Sequence, residues 1–272
     1  MKRTLIVSLM FVFTAFSLAP RVFPETHLAP NQHTRLQSRF VAPDQRMPLG
    51  EHLVYDIFWF GFRVGIGEFW VKEKTMLNGR EAFHVVGTAR TNSFLSTIYP
   101  VQNEAQSWID ARTFESLRFD KIVNERSTST DEENVFDAAS RTGHTVFHKT
   151  GQTKDFSVTL PVHDVLSTFY WVRRQELVPG RSLTTILSCD QKDWIVEIDV
   201  LRREVKRLRG HGIVDAILIE PKAEISGVTE HQEKLWVYLK NDARRTPLYI
   251  RLKTRFGPVV GVLRRPPSPH AR

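Results

Sequence analysis

From Gly50 onward the chain alternates short apolar, β-branched and aromatic runs with polar or glycine-bearing breaks, and only one segment carries a helical pattern instead. Runs of about four to eight such residues bounded by turn signals read as strands. Strands are expected at His52–Phe60, Ile66–Lys74, Ala82–Thr91, Val101–Asp110, Glu115–Asn124, Glu132–Asp137, His144–Lys149 and Asp155–Leu160. Further ones are expected at Thr184–Leu187, Trp194–Leu201, Val205–Leu208, Ile213–Pro221, Lys234–Leu239, Thr246–Thr254 and Val259–Leu263. The fold class that follows is all-β, a large curved antiparallel sheet or half-open barrel.

The most aromatic run, YDIFWFGFRVGIGEFWV from Tyr55 to Val71, admits three readings. A membrane span needs about 20 predominantly apolar residues with few charges, and Asp56, Arg63 and Glu68 interrupt this one. A dinucleotide fingerprint built on Gly65 and Gly67 would need a third glycine where Trp70 stands. What remains is a hairpin of strands Leu53–Phe60 and Ile66–Lys74, joined around Gly61–Gly65, where glycine permits the positive φ of a tight connection. Neither face of the second strand is wholly polar, so both should touch something apolar.

The exception to the β pattern is HDVLSTFYWVRRQELVPG. Asp164 stands at an N-cap, Leu166, Phe169 and Val172 recur at helical spacing, Arg173 and Arg174 suit the C-terminal end of the dipole, and Pro179-Gly180 stops the run. One helix over about 164–175 is predicted, its apolar stripe packed on the sheet or across a barrel mouth.

The N-terminus bears on location. Met1-Lys2-Arg3 precedes the uncharged apolar segment Thr4–Ala19, the layout of a secretory signal and too short for a comfortable span. Residues 1–19 are expected to direct export to the periplasm, either cleaved or retained as an inner-membrane anchor. Residues 20–49 read as a Pro-rich linker, which at about 3.1 Å per extended residue reaches roughly 90 Å. Residues 50–265 form the β domain, and 266–272 a basic Pro-rich tail. Cys189 is the single cysteine, so no internal disulfide forms and no redox pair exists.

Three stretches, in order, carry a family likeness: GEHLVYDIFWFGFRVGIGEFWV, HDVLSTFYWVRRQELVPG and LWVYLKNDARRTPLYIRLKTRFGPVVGVL. Across most of Gly50–Arg264 the chain resembles an exported bacterial family, the domain of unknown function numbered three-one-zero-eight. Tyr238 and Lys240 are small departures from it. The resemblance implies export and a curved β sheet, and it carries no activity. The closing pattern, a Trp strand, an Asp-containing turn, a Pro-led strand and Phe256-Gly257, is also similar to periplasmic lipoprotein carriers, whose half-open barrels hold acyl chains.

Catalytic chemistry is hard to find. His144 and His148 on one strand face would stand about 13 Å apart, too far to share a metal, and solvated strand histidines are the simpler reading. Ser167 lies in an early helical turn beside Asp164, where serine caps helices, and no G-x-S-x-G elbow frames it. Cys189 has no sequence neighbour to activate it. No catalytic residue, metal ligand or cofactor is assigned.

Binding is the stronger theme. The formal charge of +8 favours anionic partners. In LRREVKRLRGHG, Arg203 and Arg207 could meet lipid phosphates, although charges on an exposed edge also serve to block aggregation. Phe58, Phe60, Trp70, Phe169 and Trp236 could line an apolar cavity, the alternative being ordinary core packing. The leading expectation is a non-catalytic envelope protein binding lipid, an acyl chain or another amphipathic ligand on a concave face. The alternatives are an envelope scaffold contacting other envelope proteins, or a hydrolase of envelope glycan or lipid. An anionic membrane surface is an expected partner, and nucleic acid is not.

Overall fold

The computed structural model describes residues 47, 49–126, 128–224, 234–254 and 256–265. Residues 1–46, read above as an expected signal segment and most of a linker, and residues 266–272, read as a tail, lie outside the described residues. Fifteen strands form one sheet: β1 (His52–Trp59), β2 (Phe62–Leu77), β3 (Arg80–Thr91), β4 (Gln102–Asp110), β5 (Ser116–Glu125), β6 (Thr128–Asp137), β7 (Thr142–Phe147) and β8 (Gln152–Ser157) in the first half. The second half holds β9 (Val162–His163), β10 (Ser182–Cys189), β11 (Lys192–Leu208), β12 (Gly212–Glu224), β13 (Lys234–Lys240), β14 (Pro247–Thr254) and β15 (Gly257–Leu263). Helix α1 (Ser93–Ser96) joins β3 to β4, and α2 (Val165–Val172) joins β9 to β10.

Consecutive strands pair except β8 and β9, and the sheet continues through β1 against β15, where Tyr55 faces Leu263 and Trp59 faces Val259. Pairing is antiparallel except for β9 on β10. The two free edges, β8 and β9, are therefore consecutive in the chain. Between them the sheet curls round α2, which packs against β3 and β4 on one side and β9 and β10 on the other, strands far apart in the sheet order. The half-open barrel expected from the sequence is this arrangement.

Alternation decides which side chains enter it. Leu53, Tyr55 and Ile57 of β1, Phe69 and Val71 of β2, and Val237 and Leu239 of β13 are buried in the main core around α2. Their neighbours one residue away face outward, since successive strand residues point to opposite faces. A second, smaller core lies on that outer side, where Leu208, Ala216, Leu218, Tyr238 and Leu248 are buried. It forms because the long β11–β12 hairpin folds its tip over the outer surface, placing Gly210 against Val262, His211 Nε2 2.8 Å from the Leu263 carbonyl and the Arg209 guanidinium 3.8 Å from the Phe58 ring centre.

Several boundaries differ from the sequence reading. The β1–β2 turn is tighter than Gly61–Gly65, because Phe60 and Gly61, both at positive φ (46° and 85°), close it alone. Gly65 instead lies within β2, where a Cβ would collide with the Arg90 carbonyl. The runs Trp194–Leu201 and Val205–Leu208 are one strand, β11, whose alternation is interrupted by a bulge between Val200 and Arg202. Helix α2 ends at Val172, and the next two residues tighten into a turn through Arg174 N–H to Trp171 O and Gln175 N–H to Val172 O. It buries Leu166, Ser167, Tyr170 and Val172, so Phe169 lies at the margin of the buried stripe and stacks on Phe69 with ring centres 4.6 Å apart.

Candidate functional site

Among the described residues, α2 and the polar groups that fix it lie in the interior of the curled sheet. Asp164 caps the helix through Ser167 N–H, and Ser167 Oγ accepts from the Asp164 backbone, a reciprocal capping box. The second Asp164 oxygen accepts from Ser107 Oγ at 2.5 Å and Ser116 Oγ at 2.6 Å, so one fully buried carboxylate ties the helix to β4 and β5. Burial raises its pKa, and these donors oppose the rise. At the helix end, Arg173 is fully buried and donates to both Glu51 oxygens at 2.7 Å and to the Arg244 carbonyl. Such a fork-to-fork pair is specific in geometry as well as strong.

These groups resemble catalytic ones in type but are sealed. His163, Asp164, Ser167 and Tyr170 are all 0% exposed. At the β5–β10 side, a cleft lined by Phe119, Lys121, Phe156 and Cys189 offers about 10 Å³, roughly the space of one water. A drug-sized ligand needs about 300 Å³ or more. Burial also pushes the Cys189 thiol up, away from nucleophilic thiolate.

The residues proposed from sequence to bind ligand are dispersed rather than gathered on one concave face. Phe169 is inside, on Phe69. Phe58 lies outside under Arg209, and Trp236 outside against Arg251, with the guanidinium 5.6 Å from the ring centre. Trp70 is on the outer face of β2, 43% exposed, between His52 and Lys72. Arg203 makes a forked pair with Asp215 across the β11–β12 hairpin at 2.6 Å, and Arg207 is exposed on the same hairpin. Phe60 caps the β1–β2 turn.

Phe60 belongs to a different surface, at one end of the sheet. The β14–β15 turn, the β1–β2 turn and the β3–β4 connection are neighbours there, because β15, β1, β2 and β3 are adjacent and antiparallel. Hydrogen bonds join them: Trp59 Nε1 donates to Phe256 O at 3.0 Å, and Asn92 Nδ2 to Arg63 O at 2.6 Å. Asn92 also caps α1 through Leu95 N–H, and Arg126 N–H bonds Pro100 O. On this scaffold Phe60, Phe62, Phe94 and Ile98 are 62%, 77%, 78% and 60% exposed. Single exposed apolar residues are ordinary, whereas a contiguous group marks an interaction surface. Sequence reasoning missed Phe62, Phe94 and Ile98, although TNSFLSTIYP held a signal, large apolar residues in a segment of turn formers.

The family of this architecture is set by its sequence profile. The model for "Protein of unknown function (DUF3108)" matches residues 54–264. The chain belongs to this family. No curated protein matches it. Among solved structures, the DUF3108 chain is similar to a β-barrel-like protein of another domain of unknown function, DUF1849, from Brucella abortus, with 9% identity, a TM-score of 0.54, and coverage of 78% of this chain and 94% of that one. A second match, the hypothetical protein CT021 from Chlamydia trachomatis, has 8% identity and a TM-score of 0.33, covering 82% of this chain and 89% of that one. The first likeness supports a shared barrel-like fold and nothing about activity.

Proposed function

We propose that this DUF3108 protein is a non-catalytic cell-envelope protein that takes an amphipathic ligand, a lipid or an acyl-bearing molecule, on the rim around Phe60, Phe62, Phe94 and Ile98. The exposed apolar rim carries this reading. Export rests on the charged and apolar N-terminal layout. Among the described residues α2 packs into the main core against strands on both sides of the sheet, which argues against a carrier that swallows an acyl chain there. The sealed positions of His163, Asp164 and Ser167 argue against a hydrolase built on them.

The test is a soluble short-chain phospholipid or fluorescent fatty acid titrated against the full chain. Saturable binding that falls about tenfold or more in Phe62→Ser/Phe94→Ser, with the melting transition kept, supports the rim, since burying one Phe is worth about 1.5–3 kcal/mol. Undiminished binding in that variant, or none in the parent, contradicts it.

A further inference from the structure

The rim has a second component. Arg90 ends the outer face of β3, Arg126 follows β5 beside the α1 connection, and Lys253 is near the end of β14, all exposed. Antiparallel register puts all three at the same end of the sheet as Phe60 and Phe62: Arg90 faces Ile66 and Gln102, and Lys253 faces Pro258. Among the described residues none of the three forms an ion pair, in contrast with Arg63, whose Nε meets Asp56 at 2.5 Å, and Arg203, held by Asp215. The carboxylate next to Arg126 in sequence, Glu125, is turned inward, buried and hydrogen-bonded to Asn103. The rim thus presents apolar tips with uncompensated cations beside them, on a chain whose formal charge is +8.

This pairing matches a particular chemistry. Apolar side chains enter the boundary between headgroups and acyl chains, while arginine and lysine remain at the level of the phosphates. A protein partner of ordinary composition would cover the apolar tips and leave the cations to its polar edge. An anionic bilayer engages both at once, and the negative surface potential adds an attraction for each basic group. The small β1–β2 turn and the capped α1 hold the tips on hydrogen-bonded backbone rather than on a loose loop, which reduces the ordering cost of insertion.

We propose that the rim carrying Phe60, Phe62, Phe94 and Ile98 docks into the headgroup layer of an anionic lipid bilayer, with Arg90, Arg126 and Lys253 meeting its phosphates. The proposal rests on the lipid reading above and names the form in which lipid is met: a charged surface, entered by one end of the sheet. The opposite end, where β2 turns into β3 near the 60% exposed Met76, stays in water.

The test must ignore any membrane affinity of the apolar N-terminal segment, so it reads the rim itself. In the full chain, an environment-sensitive fluorophore is attached through Ile98→Cys, and separately through Met76→Cys as control. Cys189 is buried and leaves the label specific. Vesicles of phosphatidylglycerol with phosphatidylcholine, and of phosphatidylcholine alone, are added at low and high salt. The expected result is a blue shift and brightening at position 98 on anionic vesicles only, suppressed by high salt and absent at position 76. Arg90→Ser and Arg126→Ser should each weaken the position-98 response about fivefold, the equivalent of about 1 kcal/mol per basic residue. Equal responses on both vesicle types, unaffected by the Arg variants, overturn the anionic assignment while soluble-lipid binding keeps the broader reading alive. No response at position 98, with soluble lipid still bound, overturns docking to a bilayer. Loss of both removes the two readings together.

Discussion

His163 shows how burial fixes a protonation state. Its Nδ1–H donates to the Phe114 carbonyl at 3.0 Å, and Nε2 has no partner in a fully buried site beside the Trp171 ring. A carbonyl only accepts, so the neutral ring carries its proton on Nδ1, and a second proton would place charge where nothing solvates it. Burial accordingly lowers its pKa from 6.5 to about 4, against a small upward pull from the Phe114 bond. The unfolded chain binds this proton first, so the His163 contribution is fully present above pH 6.5 and lost as pH falls from 6.5 towards 4. The slope is at most about 1.4 kcal/mol per pH unit, or roughly 3 kcal/mol across the window. Asp164 acts in the opposite sense, because its raised pKa favours the folded state at low pH. His163→Asn keeps a donor for Phe114 and removes only the histidine titration. Urea unfolding followed from pH 7 to 4 should therefore show a shallower decline in the variant, and identical slopes would refute the account of His163. The residue itself was visible in the sequence as a histidine before a helix cap. Its burial was not, because that depends on strands far away in the chain.

At the scale of elements, α2 is a plug held at both ends. The capping box fixes its start, and the Arg173–Glu51 fork fixes its end to the residue preceding β1. Arg173 is 0% exposed on its side chain and Glu51 9%, so removing one partner strands a buried charge. Glu51→Ala should cost about 3–5 kcal/mol in urea unfolding, whereas Glu51→Leu/Arg173→Met should cost clearly less than the two single changes together. A loss under about 1 kcal/mol for Glu51→Ala would mean the pair does not anchor the helix. The start of α2 was legible because Asp164 and Ser167 act locally, whereas its end at Val172 comes seven residues before Pro179. Its anchor was not legible, since Glu51 is 122 positions away from Arg173. Local grammar likewise suggested two strands where β11 is one, because a bulge breaks the alternation that strand reading depends on.

At the scale of the molecule, the described residues form a sheet wrapped round helix α2, with a hairpin folded over the outside and an apolar, cationic rim at one end. The all-β class was readable from recurrent strand runs, and so was the presence of helix α2. The face of each aromatic was harder. In a strand it follows from a parity that one bulge reverses, and the sequence offers no absolute origin for it. Phe58, Trp70 and Trp236 thus lie outside, one residue out of step with Ile57, Phe69 and Val237 inside. The rim escaped notice for another reason: Phe62 starts β2 while Phe94 and Ile98 lie in the β3–β4 connection, and only the β1–β2–β3 pairing brings the two segments to one end. The central claim is that ligand meets the rim and not the interior. Hydrogen exchange of the full chain, with and without anionic phospholipid, tests it most directly. The account predicts slowed exchange at residues 60–63 and 92–100, with α2 (Val165–Val172) unchanged. Protection centred on α2 and the strands facing it, with the rim unaffected, would contradict the account and return the ligand to the interior.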